Sequence, residues 1–235
     1  MEVTPLGDSA LVVRLGGDDR SEGEVSIDHV LAILARLERA SIPGAVEWTS
    51  AYSTIALFFD PVLVARKCGS PNAIFERLAT EIRRVLRDRT ECEVMLGRLV
   101  EIPVCYNRAF AFDIDDVARH TNFSADEVVR QHSEANYRVR CIGFTPGFSY
   151  LAGLPSGLAT PRRQVPRTDV PAGSVAIGGN QTGIYPSTSP GGWNVIGRTP
   201  LRLFDASRQP PALLVVGDRV SFRAISRDEF EQFPA

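Results

Sequence analysis

Apolar positions in the first 96 residues alternate between the spacing of strands and the spacing of helices. Two segments, Ile27–Leu37 and Ser70–Asp88, carry apolar residues every three or four positions, which predicts amphipathic helices. Three shorter apolar or β-branched runs predict strands, at Ala10–Leu15, Ala45–Ala51 and Thr54–Phe59. A further strand is expected at Glu91–Leu96. The order β-α-β-β-α-β indicates a ferredoxin-like α+β domain.

The pattern changes after residue 97, where a new strand is expected at Glu101–Cys105. Two short helices follow at Asp113–His120 and Ser124–Ser133, the second opened by a capping box of Ser124 and Glu127. Short strands between tight turns then continue to Val220, which is typical of a β-barrel or sandwich. The clearest are Val175–Gly178, Trp193–Ile196, Leu201–Phe204, Pro211–Asp218 and Arg219–Arg223. We therefore divide the chain into an α+β domain at 1–96 and a mainly β domain at 97–235.

Composition is that of an ordinary soluble protein, with 44% hydrophobic residues, 23% charged residues and a net charge of −2. The start, MEVTPLGD, has no basic segment followed by an apolar core, so no secretory signal is expected. Because no apolar run approaches the ~18 residues that span a bilayer, no membrane association is expected either. These features favour a cytoplasmic protein.

Several chemistries are disfavoured by what the residues lack. The four cysteines contain no C-x-x-C pair and the three histidines form no H-E-x-x-H, so we expect no metal site. The single lysine, Lys67, lies neither in a P-loop nor in a biotin-attachment context. The helix pair at 113–133 resembles a helix-turn-helix, but it is surrounded by acidic residues that would repel phosphate. Nucleic-acid binding is therefore not expected.

The segment from Gly143 to Pro200 holds 11 of the 19 glycines and 8 of the 16 prolines. Large apolar residues such as Phe148, Tyr185 and Trp193 are interleaved with them, and this argues against disorder. We interpret the segment as ordered loops between short strands, where binding and catalytic residues usually lie.

Positive charge concentrates in the same region. Residues 135–204 contain one acid, Asp169, and seven arginines. Because the arginine fork suits carboxylate and phosphate groups, one interpretation is an anion-binding pocket. A solvated basic face or a basic seam against a partner subunit remains the alternative.

Two stretches in this segment carry a family resemblance: IGFTPGFSYLAGL, and ATPRRQVPRTDVPAGSVAIGGNQTGIYPSTSPGGWNVIGRTP. They resemble the KipI / allophanate hydrolase subunit 1 family, also called carboxyltransferase subdomain C and D. The resemblance covers nearly the whole chain, including the lead-in from His132 to Tyr137. Ser149 departs from the pattern, since the family usually has proline there. The resemblance implies a cyclophilin-like barrel for the C-terminal part.

The family resemblance implies a subunit of ATP-dependent 5-oxoprolinase, which opens the 5-oxoproline lactam to glutamate. It also implies two partners, a subunit-2-like carboxyltransferase-family protein and a LamB/YcsF-like protein. ATP is then shared with the complex, and this chain carries no biotin. A KipI-like histidine kinase inhibitor and a subunit related to allophanate hydrolase or urea carboxylase are the alternatives that the shared motif leaves open.

The candidate site residues follow from side-chain chemistry and motif position under that reading. Arginines are expected to bind the carboxylate and phosphate anions: Arg162, Arg163, Arg167 and Arg198. The GGNQTGIYP turn supplies amide-binding candidates in Asn180, Gln181 and Tyr185, and backbone N–H groups at Gly178, Gly179 and Gly183. His132 is a possible general acid or base, or simply a residue that suits a helix C-terminus.

Overall fold

The computed structural model describes residues 1–16, 25–68, 73–87 and 97–233. Contacts divide the chain into two compact units, Met1–Leu96 and Gly97–Ala235. In the described ranges, none of the helices has the length and apolar character needed to cross a bilayer.

The first unit is a four-stranded antiparallel sheet with helices. The strands are β1 (Glu2–Leu6), β2 (Ala10–Arg14), β3 (Ala45–Ala51) and β4 (Thr54–Phe59), in the spatial order β1-β2-β4-β3. The helices are α1 (Ile27–Arg39), α2 (Pro61–Cys68) and α3 (Ile74–Arg87). α1 begins at Ser26, whose hydroxyl accepts a hydrogen bond from the Asp28 N–H.

Most of the predicted elements in this unit are confirmed, namely β2, β3, β4, α1 and, within the described residues, α3. The sequence pattern missed β1 and α2. β1 occupies the sheet edge beside β2, which is where a ferredoxin-like fold would place its last strand. The strand predicted at Glu91–Leu96 and the helix start at Ser70 lie outside the described residues. The ferredoxin-like arrangement is therefore not confirmed.

The second unit contains a closed seven-stranded barrel in the order β10-β7-β6-β13-β5-β12-β9, with β9 pairing back to β10. Its strands are β5 (Leu99–Cys105), β6 (Asn136–Ile142), β7 (Ser149–Ala152), β9 (Ser174–Gly178), β10 (Gln181–Ile184), β12 (Asn194–Arg198) and β13 (Arg219–Ile225). A separate ribbon pairs β8 (Arg167–Val170) with β11 (Ser189–Gly191). This confirms a β-barrel.

Three helices accompany the barrel: α4 (Ile114–Thr121), α5 (Ala125–Glu134) and α6 (Arg227–Gln232). The predicted pair at 113–133 is confirmed as α4 and α5. The Ser124 hydroxyl accepts a hydrogen bond from the Glu127 N–H at 3.1 Å, as the capping box predicts. Residues of α4 and α5 join the large apolar cluster of the barrel interior.

Two strand predictions in this unit are wrong, those at Leu201–Phe204 and Pro211–Asp218, and the first contains only an isolated bridge at Phe204. Residues 211–218 form no regular strand, and only Ala212 makes an isolated bridge, to Phe204. The Val215 N–H donates to the buried Asp218 carboxylate at 3.0 Å, and the Asp218 N–H donates back to the Val215 carbonyl. The side-chain hydrogen bond satisfies the backbone locally, so an apolar run that reads as a buried strand becomes a turn.

Strand β9 is buried on both of its faces, and this positions the candidate site. Because side chains alternate along a strand, Val175 and Ile177 enter the large interior cluster while Ala176 faces a second, smaller cluster. The smaller cluster lies on the outer face of the barrel. Its buried members are Phe148, Val170, Ala176, Tyr185, Trp193 and Val195.

Candidate functional site

An aromatic cluster on the outer barrel face packs directly against strand glycines. A Cβ on Gly178 would lie 2.5 Å from the Trp193 ring. On Gly183 it would lie 2.8 Å from the Ser149 carbonyl oxygen and 3.1 Å from the Phe148 and Trp193 rings. Both strand glycines therefore make room for the rings.

The rings pack edge to face, which is the favoured geometry for aromatic pairs. Phe148 lies 5.6 Å from Trp193 and 5.1 Å from Tyr185, at interplanar angles of 85° and 86°. Tyr150 lies 5.7 Å from Trp193 at 72°. Mutually braced rings of this kind form a rigid apolar wall.

A cleft of about 310 Å³ opens against this wall, and we call it the aromatic cleft. It is lined by Phe144, Phe148, Tyr150, Arg162, Arg163, Pro166, Tyr185, Pro190, Gly191, Gly192 and Trp193. The guanidinium carbon of Arg162 lies 5.8 Å from the centre of the Trp193 ring. No carboxylate in the described part of the chain pairs with Arg162, so its charge is available to a ligand.

The two tyrosines of the cleft are held in their protonated form. Burial raises the pKa of Tyr185 and of Tyr150, and the nearby Arg162 charge only partly opposes this. The Trp193 backbone N–H bonds to the Tyr185 hydroxyl oxygen. Since that bond uses an oxygen lone pair, the Tyr185 O–H remains able to donate to a ligand.

Two of the four predicted anion-binding arginines are committed to a buried carboxylate that the sequence analysis did not single out. Asp113 is 1% exposed, and its carboxylate accepts hydrogen bonds from both terminal nitrogens of Arg167, at 2.7 and 2.8 Å. It also accepts a hydrogen bond from Arg163. It also accepts the Val195 N–H at 2.7 Å. Arg163 and Arg167 therefore act mainly in fixing the loop at 161–167 to the start of α4.

A local signal for Asp113 was present in the sequence. Asp113 precedes α4, where an aspartate usually caps the helix, but its side chain makes no capping bond. Its carboxylate is turned to the arginines instead. In the sequence it counted only as one of the acids around a helix pair, since its partners lie 50 and 54 residues away.

The remaining turn residues lie apart from the cleft lining. Gly179 has φ +67° at the β9–β10 turn, and its N–H donates to the Thr160 carbonyl at 2.7 Å. That N–H is therefore not available to a ligand. Asn180 is exposed on the same turn, and Gln181 begins β10 opposite Gly178. Of the three predicted amide-binding residues, the cleft contains only Tyr185.

His132 lies fully buried inside the barrel. Its Nδ1 is 2.8 Å from the Tyr106 hydroxyl, and its Nε2 is 3.0 Å from the Thr182 hydroxyl, which donates onward to the Ala176 carbonyl. Burial lowers the pKa of His132 to about 3, so the ring is neutral. A neutral, fully hydrogen-bonded ring in the core has a structural role, and we leave His132 out of the proposed site.

Arg198 lines a different cavity, of about 770 Å³, which we call the large cavity. Its Nε donates to the Ala172 carbonyl at 2.8 Å. The single anion pocket expected from the sequence is therefore divided between two places, with Arg162 at the aromatic cleft and Arg198 at the large cavity. Within the described residues, no cluster of three or more His, Cys, Asp or Glu side chains is placed to hold a metal.

Comparison with known proteins gives a consistent result. Residues 1–214 match the model of the carboxyltransferase domain, subdomain C and D. A protein of Bacillus subtilis (strain 168) that is named as a subunit of 5-oxoprolinase is 38% identical over 99% of this chain and 96% of its own length.

Solved structures extend the likeness to the fold. The protein in a crystal structure of TTHA0988 has 35% sequence identity to this chain, and the two folds align with a TM-score of 0.73 over 92% of this chain. This chain spans only 40% of the TTHA0988 chain. The urea amidolyase of K. lactis has a TM-score of 0.72 at 19% identity, over 97% of this chain and 15% of its own, and shows a shared fold.

Proposed function

Because the chain belongs to the family of carboxyltransferase domains, subdomain C and D, we propose that it is a subunit of an ATP-dependent 5-oxoprolinase. The support is the 5-oxoprolinase subunit of B. subtilis, which aligns with the chain almost from end to end. In this role the chain is part of a hydrolase that converts 5-oxo-L-proline to L-glutamate.

The aromatic cleft is the observation that carries this proposal. The substrate is a small, nearly flat lactam ring that bears one carboxylate. Ring walls from Tyr150 and Trp193 match the flat ring, and Arg162 matches the carboxylate. At about 310 Å³ the cleft is at the lower end of the range of ligand sites, as suits a small molecule.

The residues of this chain would bind and orient the lactam. A lactam carbonyl is a poor electrophile, and ATP supplies the activation that makes attack by water feasible. The Tyr185 hydroxyl, which is protonated near neutral pH and has its pKa raised further by burial, would donate a hydrogen bond to the lactam carbonyl oxygen. The aromatic wall would limit the access of bulk water to the bound ring.

The complete reaction would require other subunits. We propose a subunit-2-like carboxyltransferase-family protein and a LamB/YcsF-like protein as partners, working in the cytoplasm. Arg162 and Tyr185 give the cleft a binding function, but its lining, among the described residues, contains no carboxylate or neutral histidine to serve as a base for water. That base would come from a partner.

The test is substitution of Arg162 in the reconstituted complex. Arg162→Ala is expected to lower kcat/KM for 5-oxoproline about 100-fold, mainly through KM, because a charge-assisted pair is worth about 2–3 kcal/mol. Arg130→Ala is the matched control, since Arg130 is an exposed arginine of α5 paired with Glu127 and Glu134. Its kinetics should equal those of the wild type.

Two results would contradict the proposal. Equal activity of Arg162→Ala and Arg130→Ala would remove the aromatic cleft as the substrate site. A complete complex that does not turn over 5-oxoproline would remove the function itself. Assays for histidine kinase inhibition and for biotin-dependent carboxylation would then test the two alternatives.

A further inference from the structure

The large cavity lies in the same unit as the aromatic cleft and has more than twice its volume, about 770 against about 310 Å³. Its lining combines two arginines, three hydroxyl groups and several rings. The residues that matter here are Arg198, Arg202, Ser187, Thr188, Phe204 and Phe230. Positive charge beside half-buried rings is the chemistry that recognises a planar ligand carrying phosphate groups.

Arg198 is held in place but keeps its charge available. Its Nε donates to the Ala172 carbonyl, and its guanidinium carbon lies 5.9 Å from the centre of the Phe110 ring. Among the residues that the structure describes, no carboxylate pairs with it. The half-buried guanidinium is therefore oriented by neutral contacts, with its two terminal nitrogens left for an anion.

The other charges at the cavity do not cancel Arg198. Glu231 is the acid in the lining, and it accepts a hydrogen bond from Arg227 at 2.8 Å, which offsets its charge. Arg202 is exposed and lies 3.3 Å from Asp205, as an exchangeable surface pair. The formal charges named here, three arginines against two carboxylates, leave one positive charge.

The two sites are neighbours, because the same two loops line both. Phe144 lines the aromatic cleft and Pro146 lines the large cavity, while Thr188 lines the cavity and Pro190 lines the cleft. Residues two positions apart have Cα atoms at most about 7 Å apart. The two sites therefore adjoin along these loops.

We propose that the large cavity binds a nucleoside triphosphate, with its phosphates at Arg198 and Arg202 and its base against Phe204 and Phe230. The volume suits a ligand of that size. The inference deepens the proposed function, on which it rests, because it assigns the ATP of the reaction to this chain and directs its phosphates towards the lactam.

The experiment measures ATP binding by titration calorimetry, with Mg²⁺, to the reconstituted complex and to the chain alone. Arg198→Gln is expected to weaken ATP binding at least 10-fold and to raise KM for ATP without changing KM for 5-oxoproline. Arg130→Ala is the control, because that exposed arginine of α5 pairs with Glu127 and Glu134, and none of the three lines the cavity. Arg198→Lys, which keeps the charge, should recover part of the affinity if the variant protein is folded.

A second variant separates the base from the phosphates. Phe230→Ala should weaken the binding of ATP but not that of inorganic tripolyphosphate. Equal ATP affinity in the wild type and Arg198→Gln, or no ATP binding to the complex, would overturn the inference. Tripolyphosphate binding as tightly as ATP to the wild type would overturn the assignment of the rings to the base.

The outcome also distinguishes this inference from the proposed function. ATP binding that depends on Arg198, in a complex that does not open 5-oxoproline, would keep the nucleotide site and remove the function. Turnover of 5-oxoproline with a KM for ATP that is independent of Arg198 would keep the function and remove the nucleotide site from the large cavity.

Discussion

The barrel interior and the outer aromatic cleft are built from the same strands, but they differ in whether their polar groups have partners within the protein. Inside, His132 connects the Tyr106 and Thr182 hydroxyls in a chain that ends on the Ala176 carbonyl. Outside, Arg162 lies over Trp193 with no carboxylate partner among the described residues. The interior chain is closed within the protein, whereas the cleft has charge left over for a ligand.

This difference shows that residue type alone does not identify a site. A buried polar group is tolerated when its hydrogen bonds are complete, and it then contributes to a unique core. A rigid apolar wall with an unpaired cation gains from binding an anion. Asp113 is a buried carboxylate of the first kind that serves the second region, since its ion pairs with Arg163 and Arg167 hold these two side chains beside the cleft.

The largest expected effect comes from removing Asp113. Asp113→Ala should destabilise the barrel unit by about 3–5 kcal/mol, because two partly buried arginines lose their shared carboxylate. Urea unfolding monitored by Trp193 emission, in a Trp48→Phe background, would report the barrel unit alone.

Asp115→Ala is the control for this change. Asp115 pairs with Arg108, and both side chains are more than half exposed, so the cost should stay below about 1 kcal/mol. Similar losses in the two variants would contradict a structural role for the buried ion pair.

The next largest effect concerns His132. His132→Leu should cost about 2–4 kcal/mol near pH 7, because the Tyr106 and Thr182 hydroxyls lose their buried partner. The same urea experiment would measure the cost.

The pH dependence of that cost has a definite sign. The pKa of His132 is about 3 in the folded protein against 6.5 for an ordinary histidine, so the unfolded chain takes up a proton first as pH falls. The wild type should therefore lose stability below pH 6.5, by up to about 1.4 kcal/mol per pH unit from this residue. His132→Leu should lack the part of this pH-dependent loss that comes from His132. Stability profiles of the two proteins that run parallel with pH would contradict a buried, neutral His132.

The smallest expected effect on stability comes from substituting two adjacent glycines of the cleft. One of these substitutions should act directly on the shape of the cleft. A Cβ on Gly191 would lie 2.3 Å from the Tyr185 hydroxyl oxygen, whereas the nearest atom to a Cβ on Gly192 is 3.6 Å away. Gly191→Ala should displace Tyr185 and raise KM for 5-oxoproline about 10-fold, while Gly192→Ala should leave it unchanged. Equal KM values would indicate that the shape of the cleft does not matter to the substrate.

Local patterns in the sequence predicted much of the fold. Periodicity identified α1 and α3, a capping box marked the start of α5, and β-branched runs identified β3 and β4, because these signals depend on neighbouring residues. The strand expected at 211–218 failed, since an apolar run does not reveal that the Asp218 carboxylate closes a turn.

The site was predictable only in part. Residues of the glycine-rich segment line the aromatic cleft, and Arg162, Arg163 and Tyr185 are among them, whereas Arg198 lines the large cavity. Which arginines are already paired depended on Asp113, whose partners are distant in sequence. Likewise, nothing near His132 in the sequence shows that it enters the barrel, since its partners lie 26 and 50 residues away.

The most direct test of the central claim compares 5-oxo-L-proline with 2-pyrrolidinone, the same lactam without the carboxylate. Affinities of the reconstituted complex for both would be measured in the wild type and in Arg162→Ala. If Arg162 binds the carboxylate, the wild type should prefer 5-oxoproline by about 100-fold and the variant should lose most of that preference. An undiminished preference in Arg162→Ala would show that the carboxylate is bound elsewhere.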